Sequence, residues 1–184
     1  LVIAAHPDDE VIGLGGTIAK HTKKNDEVYL SIITEGVSNQ YENQEKFLKL
    51  RREACLKAAK HLGIKEVFFH NFLDGQLSTT PLPEINKTIE GDIEKIKPER
   101  VYTHHWSDLH ADHKTVFNVT TVACRKNNVK EILCYQIMGP TNIKEPSKAF
   151  VPNTYIDISL ELKDKLKAFS FYETELHEFP HPHS

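Results

Sequence analysis

Apolar stretches typical of buried strands alternate with stretches of helical pattern along this chain of 184 residues. The strand-like stretches cover residues 1–5, 28–34, 67–70, 100–104, 131–137 and 155–158, and the helical ones cover residues 11–24, 44–62, 83–96, 111–125 and 160–175. Strands that are apolar almost throughout are typical of parallel sheets whose two faces are both covered by helices. The sequence therefore predicts an α/β, Rossmann-like fold with a mostly parallel sheet between two helical layers.

Length and composition favour one globular domain and exclude several other classes of protein. A domain usually takes roughly 100–200 residues, so residues 1–184 are expected to form a single domain. The chain opens on what resembles the second half of a strand, which suggests truncation at this end. A membrane span needs about 18 consecutive apolar residues, and the sequence contains no such stretch. Nucleic-acid-binding proteins are usually basic, and the net charge of −3 does not fit that class.

The cysteine pattern indicates the cellular compartment. Cys55, Cys124 and Cys134 are odd in number, far apart and without a C-x-x-C pair. A disulfide framework usually has an even number of cysteines and a zinc knuckle has C-x-x-C pairs, and neither pattern is present here. We therefore expect reduced thiols in a cytoplasmic protein.

Ionisable residues follow the predicted strands at the points where these strands end. Because the carboxyl ends of parallel strands meet at one edge of the sheet, where ligands of such folds bind, we expect a functional site there. The residues concerned are His6, Asp8, Asp9 and Glu10 after the first strand, Glu35 after the second, His70 and Asp74 after the third, and His104, His105, His110 and His113 after the fourth. His104 and His105 either line this site or pack under the sheet edge.

The first of these clusters has the composition of half a metal site. A catalytic zinc site takes three histidine or carboxylate ligands and leaves one position open, and His6 and Asp9 supply two such ligands. The alternative is a solvated acidic turn, since carboxylates are favoured at a helix N-terminus in any case. The sequence leaves both interpretations open at this point.

The second cluster opens the helix predicted for residues 111–125. His110 and His113 are three residues apart, so both side chains can face the same side of a helix. One of them could bind a metal while the other contacts a substrate. An exposed helix start is the alternative for an H-x-x-H pattern alone, and the first cluster, which also follows a strand, weakens that alternative.

The glycines of the first helix are expected to serve packing rather than phosphate binding. Gly13, Gly15 and Gly16 do not form a G-x-G-x-x-G pattern, and Asp8, Asp9 and Glu10 would repel a pyrophosphate. The sequence also contains no G-x-S-x-G motif and no P-loop. No candidate for a covalent nucleophile follows from these patterns.

Together these motifs resemble one family. Residues 5–10 (A-H-P-D-D-E) after a strand, the G-x-G-G of residues 13–16 and the H-x-D-H of residues 110–113 are similar to the PIG-L / LmbE-like zinc-dependent N-deacetylases. The resemblance extends through residues 33–36, 73–75, 155–159 and Tyr172 to the H-P element at residues 181–182. The family usually continues beyond that element, so truncation is expected at this end as well.

The resemblance implies roles for six residues of the two clusters. Zn²⁺ is the implied cofactor, with His6, Asp9 and His113 as its ligands. Asp8 is implied to be the general base that deprotonates the attacking water. His110 would stabilise the oxyanion or protonate the leaving amine, and Asp112 would hold His110 in its orientation.

Three further residues are expected to contact the substrate. Arg51 is the candidate arginine of the second helix, with Arg52 beside it and a solvated helix face as the alternative. Asp74 would bind substrate hydroxyls or simply make a turn with the glycine that follows. His181 would reach the site from a late loop.

The resemblance implies an enzyme that acts on a small molecule. We expect a zinc-dependent amidohydrolase that removes an acetyl group from an N-acetylated amino sugar of the N-acetylglucosamine type or from its conjugate. The alternatives are an amidase acting on a thiol-sugar conjugate and a metal- or sugar-binding relative that has lost catalysis. A homo-oligomer is possible on the same grounds, and iron(II) could occupy a site of this composition instead of zinc.

Overall fold

The computed structural model describes residues 1–37, 43–137, 149–176 and 178. Within these residues the sheet has five strands in the order β3-β2-β1-β4-β5, and every neighbouring pair is parallel. The strands are β1 (Val2–Ala4), β2 (Tyr29–Thr34), β3 (Glu66–Phe72), β4 (Arg100–His104) and β5 (Glu131–Tyr135). The predicted α/β, Rossmann-like fold is confirmed.

Five helices cover the sheet in two layers. They are α1 (Asp9–Lys23), α2 (Gln44–Leu62), α3 (Leu82–Ile96), α4 (Ala111–Lys126) and α5 (Leu162–Phe169). The first apolar core packs α1, α2 and α5 against one face of the sheet, and the second packs α3 and α4 against the other. Along β1, Val2 and Ala4 enter the first core and Ile3 enters the second, as the two-residue period of a strand requires.

The strand order places a crevice between β1 and β4. The chain leaves β1 for α1 on one face and leaves β4 for α4 on the other face. A parallel sheet opens at such a switch point, beyond the carboxyl ends of the two strands. The residues that follow β1 and β4 therefore lie at the same opening, although about a hundred residues separate them along the chain.

The sequence prediction was wrong in the last part of the described chain. Residues 155–158 form no strand: Tyr155 is 79 % exposed, and Lys20 of α1 donates to the backbone oxygen of Asp157. This segment lies against α1, where Ile158 packs on Gly16, instead of joining the sheet. The final helix is also shorter than predicted, since α5 ends at Phe169 and a separate 3₁₀ turn follows at Glu173–Glu175.

Two further expectations concern the described residues. All three cysteines are free thiols, as the sequence predicts. Over the part of the chain that the structure describes, no helix combines the length and the apolar character that a membrane crossing requires.

The glycines of α1 are packing positions, as predicted. A Cβ atom on Gly16 would lie 2.6 Å from Ile158 Cδ1 and 2.8 Å from Ile158 Cβ, and one on Gly13 would overlap the Tyr135 ring. Gly91 in α3 is different, since it is exposed and a Cβ atom there would meet nothing within 4 Å. The two helices thus offer a matched pair of positions.

We expect Gly16→Ala to lower the free energy of unfolding by about 1–2 kcal/mol, because the methyl group overpacks the contact with Ile158. Gly91→Ala should raise it by about 0.5–1 kcal/mol, because alanine is the better helix former and nothing obstructs it. Urea unfolding of both variants measures the difference. Equal effects of the two substitutions would contradict the packing role of Gly16.

Candidate metal centre

The loop between β1 and α1 is organised by its own carboxylates. The backbone amide of His6 donates to Asp9 Oδ2 at 2.9 Å, and the amide of Asp8 donates to Glu10 Oε2 at 3.0 Å. Asp8 has a φ of 128°, a backbone conformation that residues other than glycine rarely adopt. Such a conformation costs on the order of 1–3 kcal/mol and persists only when surrounding contacts enforce it. The loop is therefore held, by several bonds, in one uncommon shape.

Three potential ligand atoms form an equilateral triangle beside this loop. His6 Nδ1, Asp9 Oδ2 and His113 Nε2 lie 3.3 Å from one another on all three sides. Ligands about 2.0–2.1 Å from a tetrahedral Zn²⁺ lie about 3.3–3.4 Å apart, so the spacing of the three atoms fits this metal. The structure thus brings together the three residues that the sequence predicts as ligands.

The outer nitrogens of the two histidines fix where their lone pairs point. His6 Nε2 lies 3.1 Å from Asp74 Oδ1 and 3.2 Å from Asp112 Oδ2, so it donates its proton to these carboxylates. His113 Nδ1 lies 2.8 Å from Asp108 Oδ2 and donates in the same way. When neutral, each ring therefore directs a bare lone pair into the triangle. Two such lone pairs beside a carboxylate repel one another unless a proton or a cation lies between them.

Other combinations of nearby ligands fit less well. Groups of potential ligand atoms within 4.8 Å of one another are also formed by His6, His110 and His113, by Asp9, His104 and His113, and by His6, Asp74 and Asp112. His104 Nε2 already accepts the Ala5 amide at 2.9 Å, and His110 Nδ1 accepts the Asp112 amide at 3.2 Å. In the third group, the proton on His6 Nε2 satisfies both carboxylates without a metal. The triangle is therefore the best candidate among the described residues.

Electrostatics around the histidines agrees with this arrangement. Burial lowers the pKa of His104 to about 4, with His113 as the next cause, so His104 is a neutral ring under the site. Burial also disfavours charge on His113, but Asp9 and Asp108 outweigh it and raise the pKa of His113 to about 9. A metal bound at His113 Nε2 would displace this proton and take over its stabilising contact with Asp9.

Asp8 lies beside the triangle and is paired with Arg51. Burial raises the pKa of Asp8 well above its ordinary value, and the Arg51 guanidinium, 3.5 Å from Asp8 Oδ2, opposes this shift. A cation held at the triangle would act in the same direction as Arg51, because positive charge favours the carboxylate form. Asp8 is thus a buried carboxyl group whose raised pKa Arg51 opposes and a bound cation would oppose further.

Arg51 does not belong to a solvated helix face. Its guanidinium is mostly buried, donates to the Pro7 carbonyl oxygen at 3.0 Å and pairs with Glu175. Asp74, with its carboxylate on His6, lies at the same opening. Substrate contacts of Arg51 and Asp74 stay predictions, and His181 lies outside the described residues.

Asp112 contacts His6 more closely than His110. Its carboxylate bonds to His6 Nε2 at 3.2 Å and accepts the amides of Gly75 at 2.7 Å and Leu77 at 3.1 Å. Its link with His110 is the backbone amide that donates to His110 Nδ1. The predicted orienting role of Asp112 toward His110 is therefore carried, in this geometry, by the backbone at the start of α4.

Several residues that support the site have no role that the sequence predicts. Asp108 fixes the ring of His113, and the D-x-H spacing two residues before His110 was the available signal. Glu10 was seen as part of an acidic loop, and Tyr172 only as part of the family resemblance. Glu175 gave no signal at all, since it contacts Arg51 across a sequence distance that no local pattern records.

Comparison with known proteins decides the family. The pattern of the family PIG-L, described as GlcNAc-PI de-N-acetylase, matches residues 1–124, which is more than half of the chain. The chain belongs to the PIG-L family. Among curated relatives, the uncharacterized deacetylase YaiS of Escherichia coli (strain K12) is 32 % identical over 145 residues, covering 74 % of this chain and 72 % of that protein. The diacetylchitobiose deacetylase of Thermococcus kodakarensis is 29 % identical over 191 residues, covering 97 % and 70 %.

Solved structures confirm the fold. The conserved protein TT1542 of Thermus thermophilus has a TM-score of 0.78 and 23 % identity, covering 95 % of this chain and 78 % of that one. GalB, the 4-carboxy-2-hydroxymuconate hydratase of Pseudomonas putida KT2440, has a TM-score of 0.74 and 21 % identity, covering 93 % and 77 %. Because a hydratase shares the fold with the PIG-L chain described here, the reaction must be argued from the site.

We expect His113→Ala to weaken zinc binding at least 100-fold, because it removes one corner of the triangle. Asp108→Ala should weaken it by about 10–100-fold, because the ring of His113 loses the carboxylate that orients it. His21→Ala, at the opposite end of α1, is the matched control and should bind zinc as the unmodified protein does. Competition titration against a chromophoric chelator measures all three affinities, and wild-type affinity in His113→Ala would remove the proposed ligand set.

Proposed function

We propose that this chain is a Zn²⁺-dependent hydrolase that removes the acetyl group from an N-acetylated amino sugar of the N-acetylglucosamine type or from its conjugate. One observation carries the proposal: the triangle of His6 Nδ1, Asp9 Oδ2 and His113 Nε2 lies directly beside the buried carboxylate of Asp8. Membership of the PIG-L family and the diacetylchitobiose deacetylase among the relatives supply the substrate class.

Zinc held by His6, Asp9 and His113 would supply a Lewis acid that polarises the amide carbonyl and makes a water molecule more acidic. The rest of the chemistry falls to residues of the chain. Asp74, Asp112 and Asp108 keep protons on the outer nitrogens of the two ligand histidines. This fixes the tautomer in which both lone pairs face the metal position.

Asp8 is the proposed general base. It precedes the ligand Asp9, yet its own carboxylate is turned to Arg51, so it is not itself a ligand and can take a proton from the attacking water. A positioned base of this kind contributes about 10²–10⁴-fold to the rate. Burial raises the pKa of Asp8, and Arg51 opposes this by favouring the carboxylate form; Arg51 also donates to the Pro7 carbonyl oxygen.

His110 is the proposed hydrogen-bond donor on the other side of the reacting carbon. Its Nδ1 accepts the Asp112 amide, so the neutral ring carries its proton on Nε2. Burial lowers the pKa of His110, with His6 and His113 as further causes, so the resting ring is neutral. That Nε2–H group suits stabilisation of the oxyanion or donation to the leaving amine. Arg51, Asp74 and His181 are proposed to contact the sugar.

We expect Asp8→Asn to lower kcat for N-acetyl hydrolysis by about 10²–10⁴-fold, since the amide cannot accept the proton of the attacking water. Zinc content should remain about one ion per chain, because the substitution leaves all three ligands in place. Amine release from diacetylchitobiose and from N-acetylglucosamine, read with a fluorogenic amine reagent, measures the rate.

The control is Asp26→Asn, the same chemical change at an exposed carboxylate bonded to His21. It should leave both rate and zinc content unchanged. Removal of zinc by a chelator should abolish amine release from the unmodified protein, and added Zn²⁺ should restore it. Full activity of Asp8→Asn with full zinc content would contradict the proposed mechanism. Amine release from a thiol-sugar amide alone, with neither acetylated sugar cleaved, would replace the proposed substrate class.

A further inference from the structure

A buried hydrogen-bonded chain ties the loop after β1 to the segment that follows α5. The hydroxyl group of Tyr172 donates to Glu10 Oε1, and Glu10 Oε2 accepts the backbone amide of Asp8 at 3.0 Å. The side chains of Glu10 and Tyr172 are fully buried. Tyr172, which lies 162 positions from Glu10 in the sequence, therefore reaches the amide of the proposed base Asp8 through the Glu10 carboxylate.

A second contact joins the same two regions. Glu175, in the 3₁₀ turn three residues beyond Tyr172, pairs with the Arg51 guanidinium. Arg51 in turn donates to the Pro7 carbonyl oxygen at 3.0 Å and lies 3.5 Å from Asp8 Oδ2. The segment of residues 170–176 thus reaches both the backbone before Asp8 and the side chain of Asp8.

Asp8 needs such support from outside the loop. It starts α1 with a φ of 128°, and its side chain makes no cap hydrogen bond to the helix. Its carbonyl oxygen accepts the amides of Val11 and Ile12 at 2.9 Å, which holds only the helix side of the residue. Glu10 holds the other side through the Asp8 amide, and its second oxygen accepts the Tyr172 hydroxyl group, as buried polar atoms usually find a partner.

We propose that Glu10, Tyr172 and Glu175 are positioning residues that hold Asp8 at the metal site, with Tyr172 fixing Glu10 and Glu175 fixing Arg51. The inference rests on the proposed function for the role of Asp8 as a base. It assigns a task in the reaction to residues 170–176, which lie outside the part of the chain that the family pattern matches. None of the three residues touches the reacting atoms in this arrangement.

The decisive variant is Tyr172→Phe, which keeps the ring in the core and removes only the hydroxyl donor. We expect kcat to fall by about 10–100-fold, because a base displaced by a fraction of an ångström loses its alignment with the water. KM and zinc affinity should stay within about twofold of the unmodified protein, because no ligand and no sugar contact has changed. Tyr29→Phe is the matched control, since it removes a hydroxyl–carboxylate bond to Glu27 at the far end of the sheet.

Amide hydrogen exchange supplies a readout that does not depend on activity. In Tyr172→Phe the Asp8 amide should exchange at least about tenfold faster, while amides of β1 and β4 keep their protection. Tyr29→Phe should leave the exchange of Asp8 unchanged. Unaltered exchange of Asp8 together with unaltered kcat in Tyr172→Phe would overturn the proposal, and so would a loss of protection spread over the whole sheet.

Two variants of Glu10 test the middle of the chain. Glu10→Gln keeps an oxygen for the Asp8 amide and a polar group for Tyr172, so kcat should stay within about fivefold. Glu10→Ala removes both contacts and should lose at least as much kcat as Tyr172→Phe, while zinc affinity is retained. If Glu10→Ala does not fold, the comparison of kcat between Glu10→Gln and Tyr172→Phe still tests whether Glu10 positions Asp8. Equal losses in Glu10→Gln and Tyr172→Phe would contradict the role of the acceptor oxygen.

The outcomes separate this proposal from the proposed function. If the unmodified protein cleaves no acetylated sugar, the proposed function fails, and the exchange of the Asp8 amide still shows whether Tyr172 holds it. If the unmodified protein is an active deacetylase and Tyr172→Phe matches it in kcat and in exchange, only the positioning role fails.

Discussion

The structure around the candidate site depends on two imidazole lone pairs that face each other next to a carboxylate. His6 Nδ1 and His113 Nε2 lie 3.3 Å apart, and each lies 3.3 Å from Asp9 Oδ2. Asp74, Asp112 and Asp108 hold the outer nitrogens as proton donors, so the rings cannot relieve the repulsion by changing tautomer. A proton or a metal cation must lie between the two nitrogens, and the pKa of His113, which Asp9 and Asp108 raise to about 9 against burial, means that a proton does so when no metal is bound. The acidic residues that look excessive in the sequence are therefore the counter-charges of this arrangement.

The parallel sheet makes this meeting possible. β1 and β4 are neighbours in space and far apart in sequence, so one loop brings His6 and Asp9 and the other brings His113. The two loops leave on opposite faces of the sheet, and neither helix blocks the other at the opening. His104, the last residue of β4, forms the floor by accepting the Ala5 amide and stacking on His113 with ring centroids 3.9 Å apart.

Much of the fold, and the meeting of the residues that follow β1 and β4 at one edge of the sheet, could be predicted from local patterns. The alternation of apolar and helical stretches predicts a parallel sheet between two layers of helices. Residues that directly follow adjacent parallel strands must meet at one edge of that sheet. What local patterns do not contain is the set of partners across the chain. Asp112 lies two residues from His110, yet its carboxylate turns to His6, because the amides of Gly75 and Leu77 hold it there. Residues 155–158 have the composition of a strand, but they lie against α1, where the absence of a Cβ atom on Gly16 leaves room for Ile158.

The uncommon backbone of Asp8 sets stability against activity in this protein. A glycine at this position would adopt a φ of 128° freely and would remove a carboxylate from the interior. Strain of this kind is worth on the order of 1–3 kcal/mol, a sizeable share of the stability of a small domain. Selection for thermal stability alone would thus favour a glycine at position 8 and the loss of the proposed base. Directed evolution of a heat-resistant variant therefore has to screen for turnover in every round, because a glycine at position 8 relieves the backbone strain and also removes the proposed base.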